Sequence, residues 1–180
     1  MNFVKPGSVC TGVLICMSTG WLGCNNGSTT IPGSNSDDVI EFVGDTLGLN
    51  VSRLEVLFEK NTYSDLALPL PGGQSDGEIL VALRVDSAAS TEFAALCSQS
   101  KAWKRLPFSS EIVNGESFLI PSWPNAFAPY EAKSGFYFFI DRYDNDQHSD
   151  KEFHDRWSQN ITVAVYDEEL GILYFHLLDT

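Results

Sequence analysis

Two stretches near the end of the chain, residues 161–167 and 172–178, are rich in β-branched and aromatic residues, and only Glu168–Gly171 separates them. Such a pair of runs joined by a short turn predicts an antiparallel β-hairpin. Residues 135–143 form another β-prone run, rich in aromatic residues. Residues 78–86 predict a further strand, with one face formed by Ile79, Val81, Leu83 and Val85. The fold must therefore contain an antiparallel sheet.

Two helices are predicted ahead of these last strands. Ser36 followed by Asp37 and Asp38 indicates a helix start, because a hydroxyl can cap the first turn and acids favour its positive end, and Gly48 predicts the helix end. The second helix is predicted over 87–100, with its inward face formed by Phe93, Leu96 and Cys97.

In the segment 53–59, which follows the first helix, the residues alternate in character, and this favours a strand with Leu54, Val56 and Phe58 on one face. A helix over the same residues is the alternative. The predicted elements follow the order of one helix, strands, a second helix and then several strands. This order predicts an α+β fold, with two helices packed on one face of an antiparallel sheet. We expect residues 37–180 to form this single domain.

The N-terminal residues predict an export signal. Lys5 precedes a nearly uncharged apolar run over 9–22, which is too short and too interrupted to span a membrane. Gly23-Cys24 after this run resembles the lipobox of bacterial lipoproteins, although Trp21 and Leu22 depart from the residues that the lipobox prefers. The resemblance implies removal of residues 1–23, acylation of Cys24 and a membrane anchor.

Residues 24–36 are dominated by Gly, Ser, Asn and Thr, so we expect a flexible tether. Secretion without a lipid is the alternative, and it would allow a Cys24–Cys97 disulfide. A eukaryotic secreted origin also stays open, because three glycosylation acceptor patterns begin at Asn26, Asn50 and Asn160.

The charge of the chain excludes one class of partner. Removal of residues 1–23 takes away Lys5 and no acid, which leaves 24 acidic against 10 basic residues and a net charge of −14. Such a surface repels phosphate backbones, so nucleic-acid binding is not expected, whereas basic partners and divalent cations are favoured. No cofactor is predicted.

The most polar segment, residues 141–155, offers candidate metal ligands in Asp144, Asp146, His148 and Asp150. Their alternate spacing is that of a calcium loop, but Ser149 occupies the turn-glycine position and Asp155 the position of the bidentate Glu. We therefore expect a solvated acidic loop without a high-affinity calcium site. A metal-dependent enzyme or hydrolase using this segment is the alternative function.

The proline-rich segment 121–130 holds Trp123, Phe127 and Tyr130, which could bind a protein or glycan partner or close one end of the core. His176 is expected to be a packed imidazole. Lys101, Lys104 and Arg105 are expected near the negative end of the second helix, and an anion site there is the less favoured alternative.

No nucleophile elbow, glycine-rich phosphate loop or C-x-x-C pair is present in the sequence. The closing hairpin resembles that of small exported bacterial proteins of no assigned activity. The sequence thus predicts an exported, lipid-anchored envelope protein with a non-catalytic binding or structural role.

Overall fold

The computed structural model describes residues 35–63, 76–110, 112, 123–142 and 160–179. Two α-helices lie in this part of the chain, α1 (Ser36–Leu47) and α2 (Ser87–Gln99). The strands are β1 (Glu55–Asn61), β2 (Gly77–Arg84), β3 (Trp103–Arg105), β4 (Gly135–Asp141), β5 (Asn160–Asp167) and β6 (Ile172–Asp179). A short 3-10 turn covers Pro129–Glu131.

The six strands form one sheet in the order β1-β2-β6-β5-β4-β3, and every neighbouring pair is antiparallel. The β5–β6 hairpin lies at the centre, as expected for the most strongly β-prone part of the chain. Gly171, with φ 63°, sits in its turn, where a left-handed conformation favours glycine. The predicted α+β class, with an antiparallel sheet and two helices, is confirmed.

One face of the sheet is covered by the helices and forms the helix-side core. Val39 and Val43 from α1 and Phe93 and Cys97 from α2 pack against it. The strands contribute every second residue to this core, including Ile79, Val81, Leu83, Phe136, Phe138, Ala164, Tyr166, Leu173, Phe175 and Leu177. Because these positions alternate along each strand, a single register places them all on one side.

The opposite face is also covered, and it forms the loop-side core. Its buried members are Ala82, Ile112, Tyr137, Ile161, Val163, Val165 and Tyr174. Segments without regular secondary structure pack over these residues, with Leu106, Phe108, Trp123, Phe127 and Tyr130 contributing partly buried side chains. Both faces of β2 and β6 are therefore buried, which explains their nearly continuous apolar sequences.

The predicted face of the first strand is wrong for Phe58. A β-bulge interrupts the pairing between Val56 and Phe58, and the extra residue reverses the alternation that follows it. Leu54 consequently packs against the helix-side core, whereas Phe58 packs against the loop-side core.

The predicted burial of Leu96 is also wrong, because 46% of this residue is exposed, while Phe93 and Cys97 are buried. The helix presents a narrow stripe to the sheet. Consecutive helical positions differ by about 100° around the axis, so a stripe centred on Phe93 and Cys97 leaves Leu96 on the flank.

Both ends of α1 are capped, and the N-cap lies one residue before the predicted one. Asn35, rather than Ser36, is the N-cap, and its side chain accepts a hydrogen bond from the Asp37 backbone N–H. Gly48 ends the helix in the left-handed conformation at φ 65°, as predicted. Neither of the two helices within the described residues is long and apolar enough to cross a membrane.

Candidate functional site

A chain of polar side chains lies on the loop-side face of the sheet. His176 on β6 places Nε2 at 3.1 Å from Glu78 Oε1 on β2, and the Tyr130 hydroxyl lies 3.2 Å from His176 Nδ1. Lys60 on β1 completes the chain by donating to Glu78 Oε2 at 2.8 Å. The chain thus joins three neighbouring strands to the Pro129–Glu131 turn.

The burial of this chain sets its hydrogen-bonding roles. His176 is 2% exposed and Glu78 8% exposed, so their polar atoms need partners inside the domain. With its proton on Nε2, the ring donates to the Glu78 carboxylate, and its Nδ1 accepts from the Tyr130 hydroxyl. Desolvation raises the pKa of the Tyr130 hydroxyl above its ordinary value, and the nearby Glu78 charge raises it further. Tyr130 therefore stays a protonated donor at neutral pH.

A histidine held between a carboxylate and a hydroxyl is the arrangement that activates nucleophiles in hydrolases. Here the hydroxyl belongs to a phenol, and the imidazole is enclosed. The hydrogen bond between Tyr130 and His176 attaches the Pro129–Glu131 turn to the sheet, because Tyr130 belongs to this turn and His176 to β6.

The other two aromatic residues predicted as partner-binding, Trp123 and Phe127, lie beside this chain and pack inward. The Trp123 and Phe127 rings lie 5.5 Å and 6.2 Å from the Tyr174 ring, both edge-on. Both also contact Phe58 of β1, at 6.0 Å and 5.6 Å between ring centroids. This packing is what the core-closing alternative requires. A partner-binding role for the three aromatic residues stays a prediction.

An open groove of about 810 Å³ lies on a different part of the surface, between α1 and the segment that leads into β1. Its apolar lining includes Ile40, Leu54 and Val56. Val56 is 41% exposed, and it lies on an outer strand of the sheet. The groove therefore offers solvent-accessible apolar surface beside a sheet edge.

The wall of the groove that α1 forms is acidic. Asp37, Glu41 and Asp45 follow each other at four-residue spacing, so they share one side of the helix, and all three are exposed. Among the described residues, the lining contains no Lys, Arg or His. Within the part of the chain that the structure describes, no ion pair neutralises these three carboxylates. We call Asp37, Glu41 and Asp45 the acidic stripe.

The remaining predicted sites fall largely outside the described residues. Cys24 lies there, and so do the candidate metal ligands Asp144, Asp146, His148 and Asp150. Among the described residues, no group of three or more His, Cys, Asp or Glu side chains is arranged to hold a metal ion. Cys97 is a free, buried thiol whose pKa is raised to about 12, mainly by desolvation.

The basic residues that follow α2 lie in two different parts of the structure. Lys101 comes directly after the C-cap residue Ser100, whereas Lys104 and Arg105 belong to β3. Arg105 donates to Glu168 at 2.9 Å and lies 4.5 Å from the centre of the Phe136 ring. Arg105 thus links β3 to the turn of the central hairpin, which explains its charge without an anion.

The sequence interpretation missed Glu78 and Lys60 as members of the polar chain. A local signal exists, because Glu78 opens an apolar strand and His176 interrupts another. The pairing itself depends on β2 and β6 being neighbours, which no local pattern specifies. No protein-family profile, curated protein sequence or solved structure matches this chain.

Proposed function

We propose that this chain is an exported protein, anchored to a membrane through acylated Cys24, whose folded domain binds a partner without catalysis. The binding surface in this proposal is the groove between α1 and the start of β1. The observation that carries it is the open groove itself, which combines exposed apolar surface at Val56 with a row of exposed carboxylates on α1.

The alternative surfaces are less suited to binding. Both faces of the sheet are covered, and His176 and Glu78 of the polar chain on the loop-side face are buried and hydrogen-bonded to each other. A groove with charged walls and an apolar floor has the composition typical of a recognition site, since the apolar floor supplies affinity and the charges supply specificity.

The anchor is tested by fractionating cells that express the chain with its own N-terminal segment. We expect the parent protein in the membrane fraction and the Cys24→Ser variant in the soluble fraction, because the acyl chain supplies the membrane affinity. Cys97→Ser is the matched control, and it should fractionate like the parent. Equal membrane association of the Cys24→Ser variant and the parent would contradict the anchor.

The binding role of the groove is tested by photo-crosslinking in intact cells of the organism that makes the protein. A photoreactive amino acid replaces Ser52, an exposed residue of the groove lining. The control position is Glu92, exposed on α2. We expect a discrete crosslinked product from position 52 alone. Identical products from both positions, or none from position 52, would contradict a binding role for this groove.

An extracytoplasmic hydrolase is the second candidate function. The segment 141–155, which the sequence suggested for it, lies mostly outside the described residues, and the observation that favours a hydrolase is instead that His176 lies between a carboxylate and a hydroxyl. If this chain of residues were catalytic, Tyr130→Phe would abolish hydrolysis of model ester substrates while leaving the fold intact. An equal, background rate for parent and variant would remove this candidate.

A further inference from the structure

We infer that the groove beside α1 accepts an extended, basic polypeptide segment in which Lys or Arg alternates with apolar residues. This inference rests on the proposed binding function of the groove and adds the chemistry of its partner.

The sign of the partner's charge follows from the groove lining. Asp37, Glu41 and Asp45 are charged members of this lining, and none of the described residues that line it is basic. Two acids nearby are already engaged, because Glu55 accepts from Arg84 and Glu59 accepts from Ser36. The three carboxylates of the acidic stripe outnumber Arg53, the exposed basic residue between the lining residues Ser52 and Leu54, so the groove keeps a negative potential that attracts cations and repels an anionic segment.

The spacing of the carboxylates indicates how the cations of the partner are arranged. Four residues of α-helix advance about 6 Å along the axis, so the three carboxylates of the acidic stripe repeat at about that distance. Side chains on one side of an extended segment repeat at about 6.5 Å. Basic residues at alternate positions can therefore each face one carboxylate.

The apolar lining of the groove indicates that the partner segment carries apolar residues between its basic residues. Leu54 and Val56 line the groove from β1 and the segment before it, whereas the acidic stripe lines it from α1. Because β1 is an outer strand, the groove opens beside a sheet edge, the part of a protein along which extended segments bind. Apolar side chains that point away from the acidic stripe can then cover Val56.

Three fluorescent hexapeptides test the inference by anisotropy, with the protein used as the cell processes it. The first alternates Lys and Val, the second has the same composition with three Lys followed by three Val, and the third alternates Glu and Val. We expect the alternating Lys peptide to bind most tightly. The Glu peptide should not bind, and binding of the Lys peptide should weaken as salt is added.

Two matched triple variants locate the binding. The stripe variant carries Asp37→Asn, Glu41→Gln and Asp45→Asn, and the control variant carries Glu92→Gln, Glu131→Gln and Glu169→Gln, which removes the same charge from exposed residues outside the groove lining. We expect the stripe variant to raise Kd about tenfold and the control variant to change it less than about twofold. If the stripe variant does not fold, Glu41→Gln alone should raise Kd about threefold.

Three results would overturn the inference: absence of binding by the alternating Lys peptide, equal affinity for the block peptide, or equal weakening in both triple variants. The last two would indicate diffuse attraction to the net charge. Failure here differs from failure of the proposed function, because crosslinking at position 52 detects a partner of any chemistry.

Discussion

His176 Nε2 and Glu78 Oε1 lie 3.1 Å apart, although 98 positions separate the two residues in the sequence. Glu78 lies on β2 and His176 on β6, and these strands are neighbours in the sheet. Both residues are buried, so each satisfies hydrogen-bonding groups of the other that water cannot reach. The pair is therefore a specific determinant of how β2 pairs with β6.

The first prediction concerns this pair. We expect His176→Leu to lower the free energy of unfolding by about 2 to 4 kcal/mol, because it takes a hydrogen-bond donor away from the buried Glu78 carboxylate, which Lys60 also contacts. The variant that also carries Glu78→Leu should lose less than the sum of the two single losses, since no buried charge is left without its partner. Urea denaturation of the four proteins measures this, and additive losses would show that the pair does not interact.

The second prediction separates two residues of α2 that the sequence placed on the same face. Phe93 is 6% exposed, and its ring lies 4.8 Å from the Tyr166 ring, whereas Leu96 is 46% exposed. We expect Phe93→Ala to cost about 3 to 5 kcal/mol of unfolding free energy. Leu96→Ala should change it by about 0.5 kcal/mol or less. Comparable shifts of the urea midpoint in both variants would contradict the orientation of α2.

The strands could be predicted from the sequence because their signals are local. Residues 161–167 and 172–178 carry the composition of strands and are joined by a short turn, and residues 78–86 place Ile79, Val81, Leu83 and Val85 on one face within a nearly continuous apolar run. Each of these strands is found within one or two residues of its predicted bounds. The order of the strands in the sheet was not part of the prediction, because pairing between distant strands depends on tertiary contacts.

The misplaced side chains have an equally physical origin. Periodicity assigns a face to Phe58 only if the strand is regular, and the bulge after Val56 removes that regularity. The groove beside α1 was missed for a related reason: Val56 and the acidic stripe come from separate elements and meet only in the fold. Local patterns identified the acids of the stripe as part of a helix and could not show what lies opposite them.

The third prediction concerns two glycines with positive φ. Gly135 has φ 124°, and a Cβ atom added to it would lie 1.9 Å from the Tyr166 carbonyl oxygen. Gly48 has φ 65°, and a Cβ atom there would meet nothing within 4 Å. We expect Gly135→Ala to prevent stable folding, because the backbone of β5 would have to move, whereas Gly48→Ala should cost about 1 to 2 kcal/mol. Thermal unfolding followed by circular dichroism distinguishes them, and a cooperative Gly135→Ala transition near that of the parent would refute the close approach.

The last prediction is a loss of stability at alkaline pH. Desolvation, with a smaller effect of the Asp167 charge, raises the pKa of Tyr174 to about 12, and burial also raises the pKa of Tyr63 and Tyr130. Between pH 10 and 12 the unfolded chain has lost these protons while the folded protein keeps them, so stability is fully present below pH 10 and falls as the pH rises through this window. Each such tyrosine lowers the free energy of unfolding by up to about 1.4 kcal/mol per pH unit in this window.

Urea midpoints measured from pH 8 to 11.5 should fall more gently for Tyr174→Phe than for the parent, because this variant has one fewer proton to lose. An identical slope in both proteins would show that Tyr174 ionises as readily in the folded state as in the unfolded chain.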